Sequence, residues 1–180
     1  MRIGTKSLLF GVHQVVLHPI QVAIAWNRLY GFPKDPRIWV AFVVHDWGYW
    51  GCENMDGEEG RRHPQLGYRI MKTLFGHDWG QWTRCHSREY ARLSGLKPST
   101  LCIADKMAVC VLPEWLYLAM AVSTGELDEY MENGSQNLVP NGEQGRFMSP
   151  REWIRKVRHY LGQWCMRNSE TALPHPGKKT

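Results

Sequence analysis

Residues 38–48 read IWVAFVVHDWG, seven apolar residues running straight into a His-Asp doublet. A run of that kind belongs in a core, where an imidazole and a carboxylate are costly unless paired or metal-bound. The same tetrapeptide, HDWG, recurs at residues 77–80. There Gly76 ends one helix and Asp78 is placed to cap the next, which leaves His77 in an exposed turn. We therefore read His45-Asp46 as functional and the second copy as structural. The residues flanking the two copies do not match, so there is no repeat.

Working outward, the pattern is helical nearly throughout. Pro19 opens a helix with Val22, Ala25, Trp26 and Leu29 on one face, closed by Gly31-Phe32-Pro33. Asp35-Pro36 starts the helix that carries the apolar run to about Trp50-Gly51, and CENMDG (52–57) follows as a loop. Further helices are expected over about 58–75, from Asp78 to about 93, from Pro98-Ser99-Thr100 through Val111, and from Pro113 toward Val122. Residues 133–148 are Gly/Asn-rich and read as a long loop. Ser149-Pro150-Arg151-Glu152 resembles a capping box opening a last helix, 149–166, with Trp153, Val157, Tyr160 and Trp164 as its stripe. Nothing shows strand alternation. The expected fold class is all-α, one helical-bundle domain over 1–167 with a metal-site core at about 13–122. The tail, 168–180, is expected to be disordered. The apolar segment 107–122 either completes the core, the reading we favour, or forms a homodimer face.

Bulk composition narrows the function classes. With 180 residues, 43% hydrophobic content and nine Trp, the chain can bury a sizeable core. No apolar run is long enough to span a bilayer. Arg2, Lys6 and Leu8-Leu9-Phe10 hint at a signal peptide, but His13, Gln14, His18 and Pro19 break that run, so a cytoplasmic protein is expected. Five Cys without a C-x-x-C pair argue against a disulfide framework and a zinc knuckle. The net charge of +5 suits an anionic ligand. The cations of 151–158 read as a solvated helix face rather than a nucleic-acid groove.

Several expected helices each bring polar groups against an apolar background. His18 begins the Val22/Ala25 helix, His63 opens RRHPQLGYRIM, His86 lies in RCHSREY and Asp105 in LCIADKMAV. Any one of these His residues alone reads best as a satisfied core or surface histidine; the set carries the signal. Asp105 needs a cation, and adjacent Lys106 points elsewhere on a helix. Consecutive helix residues also diverge by about 100°, so His45 and Asp46 do not easily chelate one ion without help from other helices; with further ligands converging they can flank a metal pair, with Asp46 as bridge.

In this order of motifs the chain resembles the HD-domain metal-dependent phosphohydrolases. The residues that carry the likeness are His18 (HPIQVAIA), His45-Asp46 (VVHDWG), His63 (HPQLGYRI), His86 and Asp105 (IADK). HPQLGYRI is similar to the HP-x-x-G-x-x-I segment of the HD-GYP branch. His86 is followed by SREYARLSGLKP with no GYP element, and the doublet lacks the acidic residue three positions on that marks the deoxynucleotide monophosphatase branch. Neither substrate carries over.

The resemblance implies two divalent ions, with His18, His45 and Asp105 holding one, His63 and His86 the other, and Asp46 bridging. A mixed His/carboxylate shell suits Mn, Fe, Co or Ni. The implied reaction is hydrolysis of a nucleotide or other phosphate ester by a metal-activated hydroxide. Asp46 and Lys106 are the candidate catalytic residues, and His13, Arg88, Tyr49 and Asn54 the candidate substrate contacts. Tyr49, Trp47 and Trp50 can stack on a base or pack the core; Arg88 can grip a phosphate or form an ion pair with Glu89 or Glu114. The same ligand set also serves mixed-valent di-iron oxygenases, and a non-catalytic nucleotide binder is the third reading.

Overall fold

The computed structural model describes residues 1–133 and 148–178; the expected loop at 133–148 lies, apart from its two end residues, outside them. The architecture is all-α. In chain order the helices are α1 (Ile3–Phe10), α2 (Leu17–Tyr30), α3 (Pro36–Val44), α4 (Glu58–Arg61), α5 (Pro64–Phe75), α6 (His77–Arg84), α7 (Arg88–Leu93), α8 (Thr100–Ala108), α9 (Glu114–Thr124), α10 (Glu126–Asn133) and α11 (Pro150–Asn168), with a 3-10 turn at Trp47–Tyr49. No described helix is long and apolar enough to cross a membrane.

Local chemistry sets the helix starts. Asp35 accepts a bond from the Arg37 N–H ahead of α3, with Pro36 in the first turn. Ser87, Ser99 and Ser149 cap α7, α8 and α11 in the same way. The helix expected over 58–75 is broken before Pro64, whose ring removes an N–H and restricts the residue before it. That break puts His63 at a helix start. The helix expected from Asp78 to 93 is likewise split by the Ser87 cap, which leaves His86 in the turn between α6 and α7. Asp78 is not the cap of α6. Gly76, at φ +95°, makes the turn and occupies the N-cap position, so Asp78 falls in the first turn, where its charge favours the positive helix end.

Two cores and a smaller cluster frame the molecule. The larger core packs Val22, Ala25 and Trp26 of α2 against Ile38 and Phe42 of α3, Met71 of α5, Trp79 and Trp82 of α6, and Leu101 and Ala104 of α8. The second joins Tyr117 and Ala121 of α9 and Leu127 of α10 to Trp153, Ile154, Val157 and Leu161 of α11. Segment 107–122 is thus partly core, with Trp115 and Val122 exposed. The apolar stripe of α11 is rotated from the expected one: Ile154, Leu161 and Cys165 join Trp153 and Val157, while Trp164 receives the Arg88 guanidinium 5.0 Å above its ring. The third cluster joins Leu8 of α1 to Tyr49, Cys52 and Met55.

The tail is ordered through residue 178, contrary to the expectation of disorder. Leu173 exchanges backbone bonds with Pro98 and Thr100 (2.9 Å each) and packs on the larger core. His175 lies among Trp26, Trp79 and Trp82, with centroid separations of 5.9–6.4 Å. A sequence rich in Pro and polar residues looks unable to fold alone, but here the rest of the chain supplies the apolar surface.

Candidate metal centre

The six residues singled out from sequence converge. His18 comes from the first turn of α2, His45 from the C-cap of α3, Asp46 from the residue beyond it, His63 from the N-cap of α5, His86 from the α6–α7 turn and Asp105 from the middle of α8. All are buried, from 1% exposed for His45 and His86 to 9% for His63. Two groups have ligand atoms close enough to share an ion: His18, His45, Asp46 and Asp105, and Asp46, His63 and His86. Asp46 belongs to both.

The distances show how Asp46 is divided. Its Oδ2 lies 3.3 Å from His18 Nε2 and 3.2 Å from His45 Nε2; its Oδ1 lies 3.3 Å from His86 Nε2 and 3.6 Å from His63 Nε2. His45 and Asp46 do meet in one group, although adjacent helix residues diverge. The α-helix ends at Val44, and Asp46 (φ −98°, ψ 0°) belongs to the following turn, which bends its carboxylate back beside His45. Asp105 Oδ1 completes the group, 3.1 Å from His18 Nε2.

Three imidazoles are oriented by the carbonyl three residues earlier. His45 Nδ1 is 3.0 Å from Phe42 O, His63 Nδ1 2.6 Å from Gly60 O, and His86 Nδ1 2.7 Å from Thr83 O. A carbonyl only accepts, so each Nδ1 carries the proton and, in the neutral ring, each Nε2 turns a lone pair inward. Two glycines permit the close packing behind these rings. A Cβ on Gly48 would sit 1.9 Å from His63 O, and one on Gly67 3.0 Å from His45 Cα. This is the physical content of the glycines in HDWG and HPQLG.

The electrostatics divide the centre. Burial alone would neutralise His18 and His45, but the Asp46 and Asp105 carboxylates outweigh it and raise both, His45 to about 10. Burial pushes Asp46 up, and the facing imidazoles, His45 first, reverse this and hold it well below the usual carboxylate range. Asp105 is held down likewise, chiefly by Lys106, whose Nζ is 2.8 Å from its Oδ2. Lys106 therefore does not point elsewhere, because its long side chain folds back over its neighbour. Burial drives His63 and His86 downward, so both are neutral.

A cation fits this donor set. His63 Nε2 and His86 Nε2 are 2.9 Å apart, and with both Nδ1 atoms donating, two lone pairs face each other. With bonds of about 2.0–2.1 Å, two donors on one ion at about 90–110° lie about 2.8–3.4 Å apart. His18 Nε2, His45 Nε2 and Asp46 Oδ2 are buried without a well-directed hydrogen bond, a state that polar groups tolerate poorly unless something else satisfies them.

The other singled-out residues are placed unequally. His13 stands at the edge of the centre, its ring 5.3 Å from that of His18 and 5.2 Å from that of Tyr49. Tyr49 is buried and stacks on His63 at 4.0 Å. Arg88 lies over Trp164; Glu89 and Glu114 pair instead with Arg61 and Arg155. Asn54 lines a recess with Gly57, Asp128 and Glu129, none of which belongs to the centre. His77 is exposed, and among the described residues its ring meets Tyr68. Sequence reading missed Glu126, Tyr130 and Ser7, which meet His13, and Thr124, which bonds to Glu126. In sequence Glu126 heads an ordinary acidic stretch, ELDE, and nothing there marks it as buried. No protein-family model, curated protein or solved structure matches the chain.

Proposed function

We propose that the chain is a metal-dependent phosphohydrolase acting on a small phosphate ester such as a nucleotide, with a dinuclear centre. The observation that carries the reading is the sharing of Asp46 between two buried donor groups that together hold four imidazoles and two carboxylates. The resemblance to the HD-domain phosphohydrolases, made from motif order, assigns the same six residues in the same two groups.

His18, His45, Asp46 and Asp105 would hold one ion, and Asp46, His63 and His86 the other. When bound, the ions would supply Lewis acidity and lower the pKa of a coordinated water. An ion would displace the protons that the carboxylates favour on His18 and His45, and the four then neutral His and two carboxylates would balance only part of the charge of two divalent ions, which suits an anionic substrate. Lys106 holds Asp105 ionised and adds positive charge at the same edge. The low exposure of all six residues favours a compact phosphoester over a polymer groove. Trp47 and Trp50, exposed on either side of Tyr49, offer a base a stacking surface.

The test is purified, Mn-loaded protein against nucleotides, cyclic nucleotides and bis(p-nitrophenyl) phosphate. Turnover abolished by chelation and restored by Mn is expected. No turnover on any of them with two ions bound would sink the reading. Oxygen uptake by the iron-loaded protein in place of hydrolysis would replace it with the oxygenase.

A further inference from the structure

Glu126 opens α10 with a fully buried side chain, yet it belongs to neither donor group of the centre. A buried carboxylate is tolerable only when both oxygens are satisfied. Oε1 accepts from the Val12 N–H at 3.2 Å and from the Thr124 hydroxyl at 2.7 Å. Oε2 accepts from the Tyr130 hydroxyl at 3.0 Å and faces His13 Nδ1 at 3.2 Å. The backbone makes room for this: a Cβ on Gly11 would lie 1.9 Å from Oε1. Val12 and Thr124 alone would serve a carboxylate that only tied the start of α10 to the turn after α1 and the end of α9. The second oxygen is turned to an imidazole at the edge of the centre.

The ring of His13 is held on one side and open on the other. Ser7 Oγ is a second polar neighbour of Nδ1 at 3.0 Å, and because the carboxylate only accepts, Nδ1 carries the proton. Nε2 makes no hydrogen bond among the described residues, and the side chain is 17% exposed. The carboxylates of the centre have no such freedom, since Asp46 faces four imidazoles and Asp105 is shared between imidazoles and Lys106.

We propose that Glu126 is a positioning residue for His13, fixing it as an Nδ1–H imidazole whose Nε2 lone pair orients the attacking water beside the phosphate ester. The inference rests on the phosphohydrolase reading and deepens it. His13 touches the water, and Glu126 acts only through His13.

Glu126→Gln tests the pair because the direction of its effect follows from geometry. The amide oxygen must stay where Val12 and Thr124 donate, so the amide NH2 takes the place of Oε2 and donates to His13. Nδ1 then becomes the acceptor and the proton moves to Nε2. Nitrogen-15 spectra of the Zn-loaded proteins should show His13 changing from the Nδ1–H to the Nε2–H form. With bis(p-nitrophenyl) phosphate, kcat should fall about 10–100-fold, the range for losing a partner that orients a site histidine, with KM and metal content unchanged. His13→Ala should lose activity similarly and regain part of it with added imidazole; should the Gln variant fail to fold, this rim substitution decides alone. An unchanged His13 tautomer, full activity in His13→Ala, or a loss confined to KM would overturn the proposal. A wild-type protein that binds two ions yet hydrolyses nothing would instead sink the hydrolase, and with it the role in water orientation, while the tautomer comparison still decides the pairing.

Discussion

Replacing His63 with alanine should remove one ion and leave the other. Its Nε2 sits on the far side of Asp46 from His18, 2.9 Å from His86 Nε2 and 3.6 Å from Asp46 Oδ1. Without it the second group falls to two donors, Asp46 and His86, while His18, His45, Asp46 and Asp105 are untouched. At free metal about 100 times Kd, each ion stabilises the fold by about 2.7 kcal/mol, and at 2–4 °C per kcal/mol for a chain of this size that is about 5–11 °C per ion. The wild type should therefore gain roughly twice that on going from chelator to saturating Mn, and the variant roughly half as much as the wild type. Comparing the two shifts cancels the intrinsic loss from unstacking Tyr49, which lies 4.0 Å from the His63 ring. Melting curves with and without Mn, paired with elemental analysis of desalted protein, provide both numbers. A variant that keeps two ions, or a wild type whose melting ignores chelators, would refute the assignment of His63 as a ligand.

Gly48→Ala should disturb the centre without touching a ligand side chain, because the added methyl would lie 1.9 Å from the His63 carbonyl oxygen. Overpacking of this kind costs about 1–3 kcal/mol; metal titration should show weakened binding, and an unchanged affinity would mean that the start of α5 shifts freely. The tail should respond to acid. Burial lowers the pKa of His175 below 6.5, so the released tail binds a proton that the docked tail refuses. Docking is therefore fully favoured above pH 6.5 and weakens as pH falls through that value. Amide exchange at Leu173, whose N–H bonds Pro98 O, should accelerate between pH 7 and 5 relative to a core amide, and should not if His175 has no part in docking.

Part of the candidate metal site was legible because a polar residue stands where the surrounding pattern demands an apolar one. Asp105 inside LCIADKMAV and His45-Asp46 after IWVAFVV are examples, and the core places all three below 8% exposed. His63 in RRHPQ and His86 in RCHSRE, in contrast, stood out only through the order of motifs. The helix starts were legible where capping is local, at Asp35, Ser99 and Ser149. What escaped depends on distant parts of the chain. Glu126 meets Val12 and His13 across more than a hundred residues, and no local pattern records that. The docking of residues 169–178 depends on a tryptophan cluster assembled from α2 and α6. Lys106 departs from the expectation because the Cβ direction on a helix does not fix where Nζ lies, and its flexible stem carries Nζ back to Asp105.

The most direct measurement is anomalous scattering from crystals of the Mn-loaded protein. Two peaks about 3.5–4 Å apart, one on the His18/His45/Asp105 side of Asp46 and one on the His63/His86 side, are the predicted result. A single peak, no peak, or metal bound elsewhere on the chain would contradict a dinuclear centre built on Asp46.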